Sequence, residues 1–186
     1  MNVLVIGSGG REHALCHTFS RSSKVAKLYC ANGNAGIAAI AEIVEIRPDD
    51  IVALADFAQL NSIDLTFVGG ETSLALGIVD EFEARGMKIV GASKAAARLE
   101  ASKSFAKDFM MRHDIPTAAY RTVESTREAV DVLIAGEFGN ENEPVVIKAD
   151  GLAAGKGVVV ATNRGKAIEA INSLEELVGA EAASTI

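Results

Sequence analysis

Two glycine loops carry the residues whose types and spacing can do chemistry. Residues 147–160 read IKADGLAAGKGVVV: Lys148 on a β-forming run, Asp150 behind it, then Gly151, Gly155 and Gly157 around Lys156. The spacing is not that of a Walker A loop. Three residues instead of four separate Gly151 from Gly155, and Gly157 follows Lys156 where a Ser or Thr would hold magnesium. The flanking runs VVIKA and GVVVAT predict two neighbouring antiparallel strands. A hairpin loop of this kind can fold over nucleotide phosphates, offering backbone N–H groups while the strand lysine reaches the charge. The alternative is a mobile turn with solvated lysines. Two glycines flanking one lysine, beside Lys148 and Asp150, favour the phosphate loop.

The first loop follows the opening apolar run NVLVI and comprises Gly7, Ser8, Gly9, Gly10, Arg11, Glu12 and His13. Strand, glycines and helix in that order present N–H groups and a positive helix end to an anion. Gly7 and Gly9 begin a dinucleotide fingerprint, but Glu12 stands where its third glycine belongs. A phosphate grip and a plain tight turn both remain open on these residues alone. His13 and His17 share a helix face, yet the stretch between them lacks the glutamate of a zinc protease motif and no third ligand is evident. Both read as non-metal, with His17 on the surface.

The elements that must position these loops alternate. Strands are predicted at 2–6, 27–30, 42–46, 64–69 and around KIVG. Helices are predicted over 11–20 with Ala14, Leu15 and Phe19 toward the sheet, from RPDD to Leu60 with Pro48 and two acids at its start, and over 73–85. This rhythm predicts an α/β fold, a doubly wound, mostly parallel sheet, for roughly the first hundred residues. The pattern then changes. A helix over 102–113 places Phe105 and Phe109 one turn apart, TAAYRTV reads as a strand, and Ser125 with Glu128 reads as a capping box for a helix over 126–136. After the hairpin, Asn163 is placed to cap a helix carrying Ala167, Ile168 and Ile171, and the final Thr-Ile looks like the start of a strand. These elements form a smaller α+β unit.

Composition narrows the function classes. The 186 residues are 49% hydrophobic and 23% charged with no tryptophan, so the core is aliphatic and the class is globular. A net charge of −7 with no basic cluster disfavours nucleic acid as a partner. No run approaches membrane-span length and the N-terminus has no basic leader. Cys16 and Cys30 are too few and too isolated for a disulfide framework or a zinc cluster, which fits reduced thiols in a cytoplasmic protein.

VLVIGSGGREHAL at 3–15, NAG at 34–36, SKSFAKDFM at 102–110, IPTAAY at 115–120 and VVIKADGLAAGKGVVVA at 145–161 resemble, in order, the glycinamide ribonucleotide synthetase (phosphoribosylamine–glycine ligase) family of the ATP-grasp superfamily. The resemblance runs the length of the chain. It implies a purine-biosynthetic ligase that uses ATP and Mg2+ (or Mn2+) to join glycine to 5-phosphoribosylamine through a glycyl phosphate. Gly7 to His13, with Asn34, Ala35 and Gly36, match the family loop that helps hold phosphoribosylamine. Glu71 matches the acid that meets its sugar or amine. Lys103 matches a lysine that contacts ATP, and Lys148, Asp150, Gly151, Gly155, Lys156 and Gly157 match the cover over the nucleotide phosphates. Two departures, GGETSL at 69–74 for GPEAPL and GASKAAA at 91–97 for GPTKAAA, remove prolines and loosen two turns.

The same resemblance implies a substrate-binding domain over 1–100, a central-domain helix over 101–114 and an incomplete small ATP-grasp domain over 115–186. The adenine hinge and the magnesium ligands of the family lie beyond these motifs, so no metal ligand is expected in this chain, and no catalytic residue is assigned. It is expected to be truncated and inactive by itself, and to be a monomer or weak homodimer. Three rivals are weighed against it, the first another ATP-grasp ligase acting on a different amine, against which the GSGGREHAL loop argues. A non-catalytic nucleotide- or phosphate-binding fragment would lack magnesium ligands altogether. An NAD-binding oxidoreductase domain would need an acid after the second strand, where LYCANGNAG has none.

Overall fold

The computed structural model describes residues 1–151, 157–178 and 185. The chain divides into two compact units, Met1–Arg98 and Leu99–Ile186. The first contains β1 (Asn2–Gly7), α1 (Gly10–Ser20), β2 (Lys27–Asn32), α2 (Ala35–Ala38), β3 (Glu42–Val44), α3 (Ile51–Leu60), β4 (Leu65–Val68), α4 (Glu71–Leu76), α5 (Ile78–Ala84) and β5 (Ile89–Val90). The strands form a parallel sheet in the order β3-β2-β1-β4-β5. Central β1 is apolar from Val3 to Ile6 because both of its faces are covered there. Leu4 and Ile6 pack with Tyr29, Leu54, Ala58, Ile78 and Phe82 on the α3/α5 side, whereas Val3 and Val5 pack with Cys16, Cys30 and Ile37 on the α1/α2 side. Helices on both faces make the sheet doubly wound, as the alternating pattern predicts.

Local differences have physical causes. The stretch expected to be one helix over 73–85 is two, because Gly77 adopts φ +96° and ends α4 in a left-handed turn. The RPDD acids do not lie in the first turn of α3. Asp50 is its cap, accepting from Ala53 N at 3.1 Å, and Asp49 pairs with Arg47. Ala14, expected to face the sheet, is exposed; Glu12 and Cys16 are the buried residues of α1. An unanticipated helix, α6 (Lys94–Ala101), occupies the GASKAAA region.

The second unit contains α7 (Lys103–Arg112), α8 (Thr126–Ile134), β6 (Val145–Lys148), β7 (Val158–Ala161) and α9 (Arg164–Val178). β6 and β7 pair antiparallel, with Val146 opposite Val160 and Lys148 opposite Val158. Ile147 and Ala161 turn inward onto Ala129 and Leu133 of α8 and Ala167 and Ile171 of α9. Asn163 caps α9 through Lys166 N at 2.9 Å. TAAYRTV is not a strand. Its partners are side chains of α7: Lys107 Nζ donates to Thr117 Oγ1 at 2.6 Å and Ala118 O at 3.0 Å, and Tyr120 Oη donates to Asp108 Oδ1 at 2.6 Å. The capping box at α8 is displaced by one residue. Ser125 Oγ accepts from Glu128 N, but the Glu128 carboxylate accepts from Glu124 N.

Candidate functional site

Strands β1, β2 and β4 end side by side at the carboxyl edge of the parallel sheet, where the strand order reverses across β1. Crevices at such switch points are where open α/β sheets bind ligands. The loops leaving this edge bring together Gly7–His13, Asn34–Gly36 and Glu71, which the sequence scatters over sixty-odd residues. Asn34 joins two of the loops. Its Nδ2 donates to Ser8 O at 2.8 Å, while its Oδ1 caps α2 by accepting from Ile37 N at 3.0 Å. Ala35 opens α2, and Gly36 admits the His13 imidazole: a Cβ there would lie 2.4 Å from His13 Cε1. His17, on the next turn of α1, is exposed.

Glu12 explains three of the glycines at this edge. The residue is 5% exposed and its side chain folds back into the loop, where Oε2 accepts from Gly9 N at 2.6 Å and Oε1 from Arg11 Nε at 3.1 Å. A Cβ on Gly7, Gly9 or Gly69 would stand 2.7, 2.8 or 2.1 Å from its atoms. Gly7 also needs φ +128°, a conformation L side chains avoid. The carboxylate therefore sits where an incoming anion would meet the start of α1, joined to the loops after β1 and β4. Arg11 is shared: its Nη2 lies 4.0 Å from Glu71 Oε1 while its Nε holds Glu12. The edge thus presents one cation between two acids rather than an open cationic pocket.

Cys16 and Cys30 meet beneath this loop. Both are fully buried, and Cys30 Sγ donates to Gly7 O at 3.3 Å. Its contact with Cys30 and its burial push the Cys16 thiol far above its ordinary value, which keeps it protonated. Fourteen residues of sequence separation hid this contact.

In the second unit, Asp150 and Lys103 converge. The Asp150 carboxylate accepts from Ser102 Oγ at 2.9 Å, Ser104 Oγ at 2.6 Å, Ser104 N at 3.3 Å and Lys103 N. Burial pushes its carboxyl up, but the bonds from Ser104, Ser102 and the backbone of Lys103 and Gly151 outweigh burial and hold it below the usual carboxylate value. Lys103 Nζ in turn donates to Gly151 O at 2.7 Å. Ser102 and Ser104 escaped the sequence reading; the signal was two hydroxyls bracketing the one lysine of SKS. Lys148 is exposed at the end of β6, and Gly157 is buried, its carbonyl accepting from Ala149 N at 2.8 Å. Gly155 and Lys156 lie outside the described residues, as does the end of the expected terminal Thr-Ile strand. Asp150 N donates to Thr185 O at 2.9 Å.

The outer face of the β6–β7 pair is apolar with a charged end: Val146, Val158 and Val160 are 47%, 45% and 69% exposed, and Lys148 is on the same face. Among the described residues no three His, Cys, Asp or Glu side chains gather to hold a metal ion, and no helix is long and apolar enough to cross a membrane.

Two family descriptions match the chain end to end: the phosphoribosylglycinamide synthetase N domain over residues 1–100 and its ATP-grasp (A) domain over 101–186. The phosphoribosylamine–glycine ligase of Caldanaerobacter subterraneus is 51% identical over 160 residues, 86% of this chain and 37% of that protein. That of Brucella melitensis is 48% identical over 176 residues, 95% of this chain and 40% of that protein. The chain therefore spans about two fifths of the length of the curated relatives it matches. Among solved structures, the phosphoribosylamine–glycine ligase of Thermotoga maritima aligns with a TM-score of 0.71 at 28% identity, covering 97% of this chain and 41% of that one. A biotin carboxylase from Campylobacter jejuni, at 20% identity, covering 99% of this chain and 44% of that one, has a TM-score of 0.73 and shares the fold. With both halves matched in order, the chain belongs to the phosphoribosylglycinamide synthetase family.

Proposed function

We propose that this chain serves the ATP-dependent joining of glycine to 5-phosphoribosylamine in purine biosynthesis, with residues 1–100 as the substrate domain and 101–186 as part of an ATP-grasp module. Within that module, 101–114 is the helix of the central domain and 115–186 belongs to the small cover. In this reaction the γ-phosphoryl group of ATP passes to the glycine carboxylate. The amine then attacks the acyl carbon, and phosphate leaves as the amide forms. A carboxylate needs such a leaving group because its own oxygen departs too poorly. The observation that carries the reading is the matched order of both halves, with the substrate-loop residues gathered at one sheet edge.

In this reading Gly7–Gly10, Arg11, His13, Asn34–Gly36 and Glu71 line the phosphoribosylamine side. Glu71 faces the sugar or amine, Arg11 and His13 offer charge and a donor to the phosphate, and Glu12 holds the loop from inside. The same Glu12 disfavours a dinucleotide, because its carboxylate takes the place of the pyrophosphate at the start of α1. Lys103, Lys148 and the loop from Gly151 to Gly157 hold the phosphates of ATP, and the exposed valines of β6 and β7 offer a flat apolar surface to its base. The described residues provide no metal cluster, so magnesium is assigned no residue here. Calorimetric titration of ribose 5-phosphate, MgATP and NAD into the chain tests the reading. Saturable binding of ribose 5-phosphate without NAD binding is expected. Tight NAD binding without ribose 5-phosphate binding would replace this reading with the oxidoreductase one.

A further inference from the structure

The carboxylate of Asp150 accepts from four donors of the protein. Two are the hydroxyls of Ser102 and Ser104, and two are the amides of Lys103 and Ser104 at the start of α7. Ordinary helix caps come from the residue just before the helix. Here Ser102 fills that local role through Phe105 N, and Asp150 adds a second cap from 46 residues away in sequence. The carboxylate joins the root of the glycine loop to the helix turn that carries Lys103. Lys103 closes the clasp from the other side, its ammonium 2.7 Å from the carbonyl of Gly151.

We propose that Asp150 is a positioning residue for Lys103 rather than a ligand of the nucleotide or its metal. A lysine side chain has four rotatable bonds and loses much of its attraction for a phosphate if its backbone turn wanders. The Asp150 cap fixes that turn. Ser102 and Ser104 fix the carboxylate, and Gly151 O offers Lys103 a weaker resting partner that a phosphate oxygen replaces. The charge of Asp150 is compensated by hydroxyls and amides, so it does not draw the lysine into an ion pair that would compete with phosphate. The inference rests on the nucleotide reading given above for this loop.

The test is a double-mutant cycle on the full chain, with inorganic tripolyphosphate and MgATP as titrants. Asp150→Ala is expected to weaken tripolyphosphate binding roughly tenfold, equivalent to about one charge-assisted hydrogen bond. Lys103→Met is expected to lose at least as much. In the double variant the two losses should not add, because one residue acts through the other. Ser102→Ala with Ser104→Ala should reproduce part of the Asp150→Ala loss, and this pair serves as the second variant if Asp150→Ala does not fold. Additive losses, or unchanged binding in the Asp150 or paired serine variants, overturn the positioning role. Failure of the unaltered chain to bind either titrant overturns the nucleotide reading, and the inference falls with it.

Discussion

The loop after β1 and the loop after β6 are both glycine-rich and both contain one acid, but the acids are satisfied over different distances. Glu12 finds its partners within its own turn, at Gly9 N and Arg11 Nε. Its reach is extended only by the space that Gly7 and Gly69 leave for it. Asp150 finds its partners across 46 to 48 residues, at the start of α7. The difference teaches what a glycine next to an acid can mean. In the first loop the glycines make room for a side chain. In the second, Gly151 takes φ +90° with no atom of the described residues within 4 Å of where a Cβ would stand, so its value lies in backbone freedom instead.

Breaking the first arrangement should cost most. Gly69→Ala drives a Cβ into the buried Glu12 carboxyl, so a loss of about 2–4 kcal/mol is expected in chemical denaturation. Adding Glu12→Ala to that variant should recover part of the loss, since the clash partner is gone. Glu12→Ala alone removes a cap and leaves Gly9 N unsatisfied in a partly buried turn, with about 1–3 kcal/mol expected by the same measurement. Glu12→Gln, which keeps an acceptor for Gly9 N, should be milder.

The second arrangement is sharpened by pH. The Asp150 carboxyl is held below its ordinary value in the folded chain, so its stabilisation is complete above the unfolded-state value. That stabilisation is lost as pH falls through the folded-state value. The stability gap between the unaltered chain and Asp150→Asn should therefore be widest near neutrality and shrink on acidification, read from denaturation midpoints at a series of pH values. A gap constant with pH would show that the interaction is one of shape alone. The smallest effect is expected at Lys166–Glu169, an exposed one-turn pair at 2.7 Å on α9. Glu169→Gln should leave the denaturation midpoint within measurement error, because water already solvates both charges.

Much of the architecture was legible along the chain. β1 announces itself as a two-sided core strand because every residue from Val3 to Ile6 is apolar and buried. Ser125 and Asn163 were readable as caps because capping is local chemistry, decided within three residues. What was misread shares one cause. TAAYRTV has β propensity but finds no described strand partner, and Lys107 and Asp108 of α7 satisfy it instead. The helix expected over 73–85 breaks at Gly77, whose conformation no propensity scale fixes.

The site divides along the same line. The sequence by itself determined the fold class, the two loops and the residue types able to meet phosphate, because periodicity, glycine spacing and charge are properties of neighbours on the chain. Only the tertiary structure decided what each acid does. Glu12 turns inward because Gly69, from the loop after β4, leaves it space, and Asp150 spends its charge on Ser102, Lys103 and Ser104. A carboxylate's role follows from which donors reach it, and those donors come from parts of the chain that only folding brings near.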